Sequence, residues 1–230
     1  MNIQDDASSW AVQKFGVGQP VLRTEDPILV QGRGSYADDV NLAGQAYAAI
    51  VRSRHAHGVL KGIDTAAALA MPGVLAVYTG ADLRAAGYGT LKCIPPLNNR
   101  DGTPMKKPPR PALAVDKVRF VGDPVACVVA ETPIQAKEAA EAVELDVAPL
   151  PAVTLASEAV KPGAPLLFDD VPNNVALDYH YGDAARVKEA FAKAAHVTRL
   201  ELRNTRLVVN AMEPRAAVAG YNAASERFTF

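Results

Sequence analysis

The sequence predicts a mixed α/β protein of the α+β class, and three observations support this prediction. Residues 118–147 alternate a strand, a turn, a second strand, a helix and a third strand. Residues 61–79 repeat the order strand, helix, strand in outline. The 230 residues are 49% hydrophobic, which is enough to bury the core of one large domain or two small ones. We expect the two units to share one mixed sheet.

The first unit has clear boundaries in the sequence. Residues 125–130 form an apolar run rich in β-branched side chains between two turns, which predicts a buried strand. Thr132 suits the N-cap of the next helix, Pro133 its first position, and Gln135 a capping box. Its apolar stripe, at helical spacing, consists of Ala136, Ala140 and Val143. A right-handed crossover would leave the flanking strands parallel or nearly so.

Shorter sequence patterns that predict strands and a helix precede this unit. Apolar runs predict strands over residues 45–52, 59–63 and 74–79. Asp64 is a good N-cap for an alanine-rich helix over 65–71, which the following Pro-Gly pair ends. Residues 87–111 contain six prolines and three glycines, and this composition predicts a long loop or linker without regular structure.

The last third of the chain begins after a second proline-rich stretch, residues 148–174. Gly182 and Asp183 are expected to cap a helix over 184–195, whose apolar face contains Val187, Ala190, Phe191 and Ala194. Four strands are predicted around that helix, over residues 175–181, 196–203, 216–221 and 227–230. The last two would form a hairpin whose second strand has barely begun, so we expect a longer polypeptide or a partner chain to complete the sheet.

Composition excludes several function classes. A net charge of −1 argues against nucleic acid or a membrane surface as the partner, since both favour a strongly basic face. The most basic window, residues 100–110, predicts a solvated loop rather than an anion site. The N-terminus has no apolar export signal and no run approaches 18 apolar residues, so the predicted location is the cytoplasm.

Metal and nucleotide motifs are weak. His55 and His57 form an H-x-H pair without a suitably spaced third ligand, so no metal site is predicted. Cys93 and Cys127 are too few for a disulfide scaffold or an iron–sulfur cluster, and Cys127 is expected in the core. The Gly-x-Gly at 16–18 lacks the strand and helix of a dinucleotide site.

Five segments, in order and with matching spacing, resemble one family: the molybdopterin-binding large subunits of the xanthine dehydrogenase, aldehyde oxidase and aerobic carbon monoxide dehydrogenase group. The segments are GRGSYADDV (32–40), VRSRHAHG (51–58), PGVLAVYTGADL (72–83), VRFVGDPVACVVAETPIQAKEAAEAVELD (118–146) and NAMEPRAAVAGY (210–221). The resemblance implies an N-terminal arm (1–14), a hammerhead domain (15–148), a linker (149–173) and the incomplete beginning of a molybdopterin-binding domain (174–230).

The resemblance also implies an activity. Members of this family are oxidoreductases that hydroxylate an aldehyde, an N-heterocycle or a related small molecule with oxygen derived from water. Their cofactors are molybdenum with molybdopterin cytosine dinucleotide, and FAD and 2Fe-2S clusters on partner subunits or domains. The implied partners are a small-molecule substrate, iron–sulfur and FAD subunits, and a second large-subunit chain.

The resemblance implies few site residues within this sequence. The family's catalytic glutamate and its glycine-rich cofactor loop would lie beyond Phe230, so the catalytic residues are unknown. Glu213 and Arg215, in the Met-Glu-Pro-Arg segment, are the residues expected at the wall of the cofactor pocket, where they could pair and fix a bend. Asp123, in the Gly122-Asp123-Pro124 turn, is explained by the turn itself.

Two hypotheses follow. The first is that the chain is the N-terminal part of a molybdenum hydroxylase large subunit, truncated or split, and inactive alone. The alternative is a non-catalytic interaction or assembly module that keeps the hammerhead fold. A free-standing hydrolase or nucleotide enzyme has no support, since the sequence contains no nucleophile elbow, P-loop or metal triad.

Overall fold

The computed structural model describes residues 23–204, 210–211 and 215–230. The chain divides into two compact units. One is Gly44–Arg203, and the other combines the described parts of Met1–Ala43 and Asn204–Phe230. The predicted mixture of helices and strands is confirmed. Within the described ranges, no helix is long and apolar enough to cross a membrane.

Eight strands and six α-helices are defined in the described residues. The strands are β1 (Tyr47–Arg52), β2 (Gly58–Asp64), β3 (Val74–Thr79), β4 (Lys117–Val118), β5 (Pro124–Ala130), β6 (Glu144–Pro149), β7 (Gly220–Asn222) and β8 (Arg227–Thr229). The helices are α1 (Asp26–Leu29), α2 (Ala66–Leu69), α3 (Gly80–Ala85), α4 (Pro133–Glu141), α5 (Ala156–Ala159) and α6 (Ala184–Lys193). Short 3-10 helices cover Ala37–Asp39 and Pro172–Asn174.

The larger unit is built on two three-stranded sheets. The first sheet has the order β1-β5-β3 and the second has the order β4-β2-β6. Every pair within them is antiparallel. The expectation of one mixed sheet with parallel strands is therefore wrong. Both edges of β5 are occupied, by β1 and β3. The strand that follows α4 is β6, and it pairs with β2 in the second sheet.

Helix α4 begins where the sequence predicted. Thr132 is the N-cap, and its hydroxyl accepts a hydrogen bond from the Gln135 N–H at 3.3 Å. The same hydroxyl donates to Gln135 Oε1 at 2.8 Å, in place of the reciprocal backbone bond of a capping box. The buried residues of the helix are Ala136 and Ala139, and Val143 is buried just after the helix ends. Ala139 was not in the predicted stripe, and the predicted Ala140 is only partly buried.

The core lies between the first sheet, helices α2 and α4, and one face of the second sheet. Its fully buried members on β5 are Ala126 and Val128, which pack with Val51 of β1 and with Ala139. Partly buried side chains from the second sheet reach this cluster, including Ile63 and Leu145. The same two side chains also contact a second cluster of Ala114, Val118 and Val125. The two sheets therefore share one continuous core.

The proline-rich segment 87–111 is more ordered than its composition indicated. Asn98 and Pro104 form an antiparallel bridge. The Arg100 N–H donates to the Asp178 carbonyl at 2.8 Å, and the Lys106 N–H donates to the Ala176 carbonyl at 2.9 Å. The predicted strand over 175–181 is absent as a regular strand, because its backbone bonds are made to this irregular segment.

Asn174 holds a turn in the second proline-rich stretch. Its backbone φ is +56°. Its amide nitrogen donates to the Ala159 and Pro165 carbonyls at 2.9 Å each. Its side-chain oxygen accepts from the Leu167 N–H at 2.9 Å. One side chain thus satisfies three backbone groups across sixteen residues of irregular chain.

The C-terminal part differs most from the predictions. Helix α6 is present, and the Asp183 carboxylate accepts from the Arg186 N–H at 3.0 Å. Its predicted apolar face is exposed, including Val187 and Phe191. The strand predicted over 196–203 is not formed. The predicted hairpin is confirmed over the shorter strands β7 and β8, with the Tyr221 and Phe228 rings 4.7 Å apart.

Gly80 lies against backbone, and we expect Gly80→Ala to destabilise the protein. A Cβ there would come within 2.5 Å of the Ala114 carbonyl oxygen and 2.7 Å of the Leu113 carbonyl oxygen. Such overpacking costs about 1–3 kcal/mol. Gly89→Ala is the matched control, because that position is open, and it should stay within about 0.5 kcal/mol. Urea denaturation measures both, and equal stability of the two variants would contradict the contact.

We also expect Asn174→Ala to lower the free energy of unfolding by about 2–3 kcal/mol, since three partly buried backbone groups lose their partner. Asn174→Gly should recover about 1 kcal/mol of this loss by relieving the positive φ. Asn173→Gly is the control: Asn173 has φ +53° and is exposed. Denaturation curves measure the free energies of unfolding, and equal values for Asn173→Gly and Asn174→Ala would contradict the hydrogen-bond network of Asn174.

Candidate functional site

Of the two residues predicted at the cofactor pocket, Glu213 and Arg215, the structure describes only Arg215. Glu213 lies outside the described residues. Arg215 is exposed. Their role at the pocket wall therefore stays a prediction.

The histidine pair serves the fold in the described structure. His55 is exposed, whereas His57 is buried. Nδ1 of His57 lies 2.9 Å from the Pro151 carbonyl oxygen. Because a carbonyl only accepts, Nδ1 carries the proton, and the Nε2 atom then has no hydrogen-bond partner. Across residues 23–204, 210–211 and 215–230, no three His, Cys, Asp or Glu side chains are placed to hold a metal ion.

A polar junction surrounds the Gly122-Asp123 turn. The Ser53 N–H donates to the Asp123 carbonyl at 2.9 Å, and the Gly122 N–H donates to the Ser53 carbonyl at 2.8 Å. The Arg52 guanidinium donates to the Gly122 carbonyl at 2.9 Å. These bonds extend the β1–β5 pairing past its last ladder positions. The turn is thus fixed by backbone bonds, as the sequence indicated.

The Asp123 carboxylate faces inward within this junction. Its Oδ2 accepts from the Arg119 N–H at 2.9 Å. Burial raises the pKa of the Asp123 carboxyl above its ordinary value, although this hydrogen bond and the nearby guanidinium charges of Arg119 and Arg110 act in the opposite direction. A carboxyl with a raised pKa is a candidate proton carrier only beside a reacting group. Its partner here is a backbone N–H, so its role is structural.

Arg119 is the junction residue that the sequence analysis missed. Its Nε donates to the Leu167 carbonyl at 3.0 Å, and the guanidinium carbon lies 4.4 Å from the centre of the Phe168 ring. Lys117 makes a second link, with its Nζ 3.1 Å from Asp169. Two neighbouring cations thus hold residues 167–169. The available signal was that two basic residues, Lys117 and Arg119, are two positions apart, but their partners lie about fifty residues away.

Neither cysteine is placed as a nucleophile. Cys93 is exposed, and Cys127 is half-buried on β5. Burial raises the pKa of the Cys127 thiol, which lowers its reactive thiolate fraction.

The basic window, residues 100–110, is solvated as predicted. Arg100 and its partner Asp178 are 3.4 Å apart, and both are exposed.

Comparison with known families matches both halves of the chain. Residues 31–151 match the family described as aldehyde oxidase and xanthine dehydrogenase, a/b hammerhead domain. Residues 167–230 match the molybdopterin cofactor-binding domain. The two matches follow one another in the order that the sequence predicted.

Individual proteins that are similar to this chain support the same families. The nicotine 6-hydroxylase large subunit of Paenarthrobacter nicotinovorans is 37% identical over 92% of this chain and 25% of that protein. The carbon monoxide dehydrogenase large chain of Afipia carboxidovorans is 36% identical over 86% of this chain and 25% of that protein. The solved quinoline 2-oxidoreductase of Pseudomonas putida 86 superposes with a TM-score of 0.76 at 33% identity, over 94% of this chain and 26% of that chain.

The chain thus spans about a quarter of the length of the relatives that it matches. Those relatives include large subunits of multi-subunit complexes, and members of the family are oxidoreductases. Since the hammerhead match alone covers more than half of the sequence, the chain belongs to the molybdenum hydroxylase large subunits of the xanthine dehydrogenase, aldehyde oxidase and carbon monoxide dehydrogenase family.

Proposed function

We propose that this chain is the N-terminal part of the large subunit of a molybdenum hydroxylase that oxidises an N-heteroaromatic compound. The observation that carries the proposal is the superposition on quinoline 2-oxidoreductase, which extends over 94% of the chain at a TM-score of 0.76. The carbon monoxide dehydrogenase structures superpose at TM-scores of 0.59 and 0.60 over 79% and 83% of the chain, and the aldehyde oxidoreductases at 0.55 and 0.53 over 65% and 67%. The nicotine 6-hydroxylase relative, named for another N-heteroaromatic substrate, supports the same class.

In the complete subunit, the molybdenum cofactor would supply the oxidising centre for hydroxylation at an electron-poor ring carbon. We propose the cytosine dinucleotide form of molybdopterin, and FAD and 2Fe-2S groups on partner subunits, with a second large subunit in the assembly. Residues 1–230 span only about a quarter of the length of the matched relatives, and Arg215, proposed at the pocket wall, is exposed. We therefore expect residues 1–230 alone to be inactive.

The domain organisation remains part of the proposal. Residues 1–14 would be an arm, 15–148 the hammerhead domain, 149–173 a linker and 174–230 the beginning of the molybdopterin-binding domain. The hydrogen bonds of segment 97–106 to residues 176–178 support a fixed attachment of the first residues after the linker to the hammerhead domain. The proposed location of the assembled enzyme is the cytoplasm.

We expect the product of the native gene, purified from its own host, to have an intact mass well above the 24.3 kDa of residues 1–230 and to contain molybdenum. It should reduce an artificial electron acceptor with quinoline or nicotine as the electron donor, with kcat/KM about tenfold or more above that for a simple aldehyde. Intact mass spectrometry, elemental analysis and steady-state kinetics measure the three quantities.

Residues 1–230 produced separately are the control, and they should retain no molybdenum. A higher kcat/KM for aldehydes would overturn the substrate class and leave the family assignment intact. An intact mass of 24.3 kDa without a co-purifying chain would instead favour the non-catalytic module.

A further inference from the structure

Residues 91–110 form a long irregular hairpin, which we call the arm. Its two sides run antiparallel: the Leu91 N–H donates to the Arg110 carbonyl at 2.8 Å, and Asn98 and Pro104 form a bridge near the tip. The prolines of the arm have a fixed φ and no N–H, so they stiffen it without leaving donors that need a partner. Irregular segments of this length inside a compact domain usually have a function.

The tip of the arm binds an extended segment, residues 176–178. The Arg100 N–H donates to the Asp178 carbonyl, and the Lys106 N–H donates to the Ala176 carbonyl. Backbone N–H groups on one edge of the hairpin thus bind backbone carbonyls of a neighbouring extended chain. This is the way in which a peptide is added to the edge of a sheet.

Asn99 is the residue that connects the arm to this segment. Its Oδ1 accepts a hydrogen bond from the Asp178 N–H at 2.9 Å. Its Nδ2 donates to the Thr103 hydroxyl at 3.0 Å and to the Pro104 carbonyl at 3.2 Å. One side chain therefore joins both sides of the arm to the bound segment.

A second attachment lies a few residues earlier in the chain. Arg119 and Lys117 hold residues 167–169 through the Leu167 carbonyl, the Phe168 ring and the Asp169 carboxylate. The arm and both basic residues lie within the hammerhead match, residues 31–151. Residues 167–178 lie within the match to the molybdopterin cofactor-binding domain, residues 167–230. The first domain thus holds the initial segment of the second domain at both ends.

The chain between the two attachments is a closed turn. The Val171 N–H donates to the Phe168 carbonyl at 3.1 Å, and the Asn174 N–H donates to the Val171 carbonyl at 3.2 Å. The Asn174 side chain accepts from the Leu167 N–H, and Val171 is buried. Because this turn is bonded along its length, a displacement at one end is transmitted to the other.

We propose that the arm and Arg119 form a two-point clamp that fixes the start of the cofactor-binding domain on the hammerhead domain, and that its two points open together. Asn99 and Arg119 are its positioning residues. The inference goes beyond the proposed function, since it holds whichever substrate the enzyme oxidises. Coupling between two points is reciprocal, so loss of either contact weakens the other by the same factor.

Hydrogen exchange in the purified product of the native gene tests the clamp. Asn99→Ala removes the acceptor of the Asp178 N–H, and peptides that contain this amide should exchange about tenfold faster. Peptides that contain the Val171 N–H should change by a similar factor, although Asn99 does not contact that turn. Asn98→Ala is the matched control, because Asn98 is exposed and contributes its backbone to the bridge. It should leave both rates within about twofold.

Arg119→Met provides the reciprocal test. It removes the bond to the Leu167 carbonyl and the charge over the Phe168 ring, and exchange at Asp178 should become about tenfold faster. The amides of β5, measured in the same samples by mass spectrometry, should be unchanged.

Three results would overturn the clamp. A change confined to the mutated point would show that the two attachments are independent. Equal effects of Asn98→Ala and Asn99→Ala would remove the role of the Asn99 side chain. Faster exchange throughout β5 would mean that the whole domain is destabilised, without a local unit that opens. None of these readouts depends on the molybdenum content, so failure of the proposed function would leave the test of the clamp intact.

Discussion

Burial of β5 is the interaction on which the rest of the larger unit depends. This strand forms hydrogen bonds to β1 along one edge and to β3 along the other, and its side chains Ala126 and Val128 are inaccessible to solvent. The chain then enters α4, whose alanines lie close to the same side chains. Ile63 and Leu145 connect this cluster to the second sheet. Loss of β5 would remove the partner of every other strand in its sheet and the surface under the helix.

Irregular chain makes up much of the molecule, and polar side chains determine its course. Arg119 and Lys117 hold residues 167–169, His57 bonds the Pro151 carbonyl, and Asn174 satisfies three backbone groups. Backbone groups in proline-rich segments cannot form continuous ladders, so they need individual partners. These contacts explain how residues 150–178 remain attached to the hammerhead domain with few regular elements.

The sequence predicted the elements of the first half well, because local signals determine them. The boundaries of β3 and the N-cap of α4 were correct to the residue. Strand pairing was not predictable, since an apolar run shows that a strand is buried without identifying its neighbours. The strand expected over 175–181 lacks a regular ladder because its backbone bonds go to the irregular segment 87–111, and the strand expected over 196–203 is not formed. For the site, only the Gly122-Asp123 turn was correctly understood; Arg119 acts through distant partners, and Glu213 lies outside the described residues.

The sheet order β1-β5-β3 has a consequence for synthesis on the ribosome. Strands β1 and β3 are both made before β5, and each pairs only with β5 in that sheet. Roughly eighty residues separate the start of β1 from the end of β5. At 5–20 residues per second, about 4–16 s therefore pass between the synthesis of β1 and the completion of β5, its partner in this sheet. During this interval two apolar strands have no neighbour in their own sheet. Nascent chains of this protein should therefore depend on chaperones until residue 130 has left the exit tunnel.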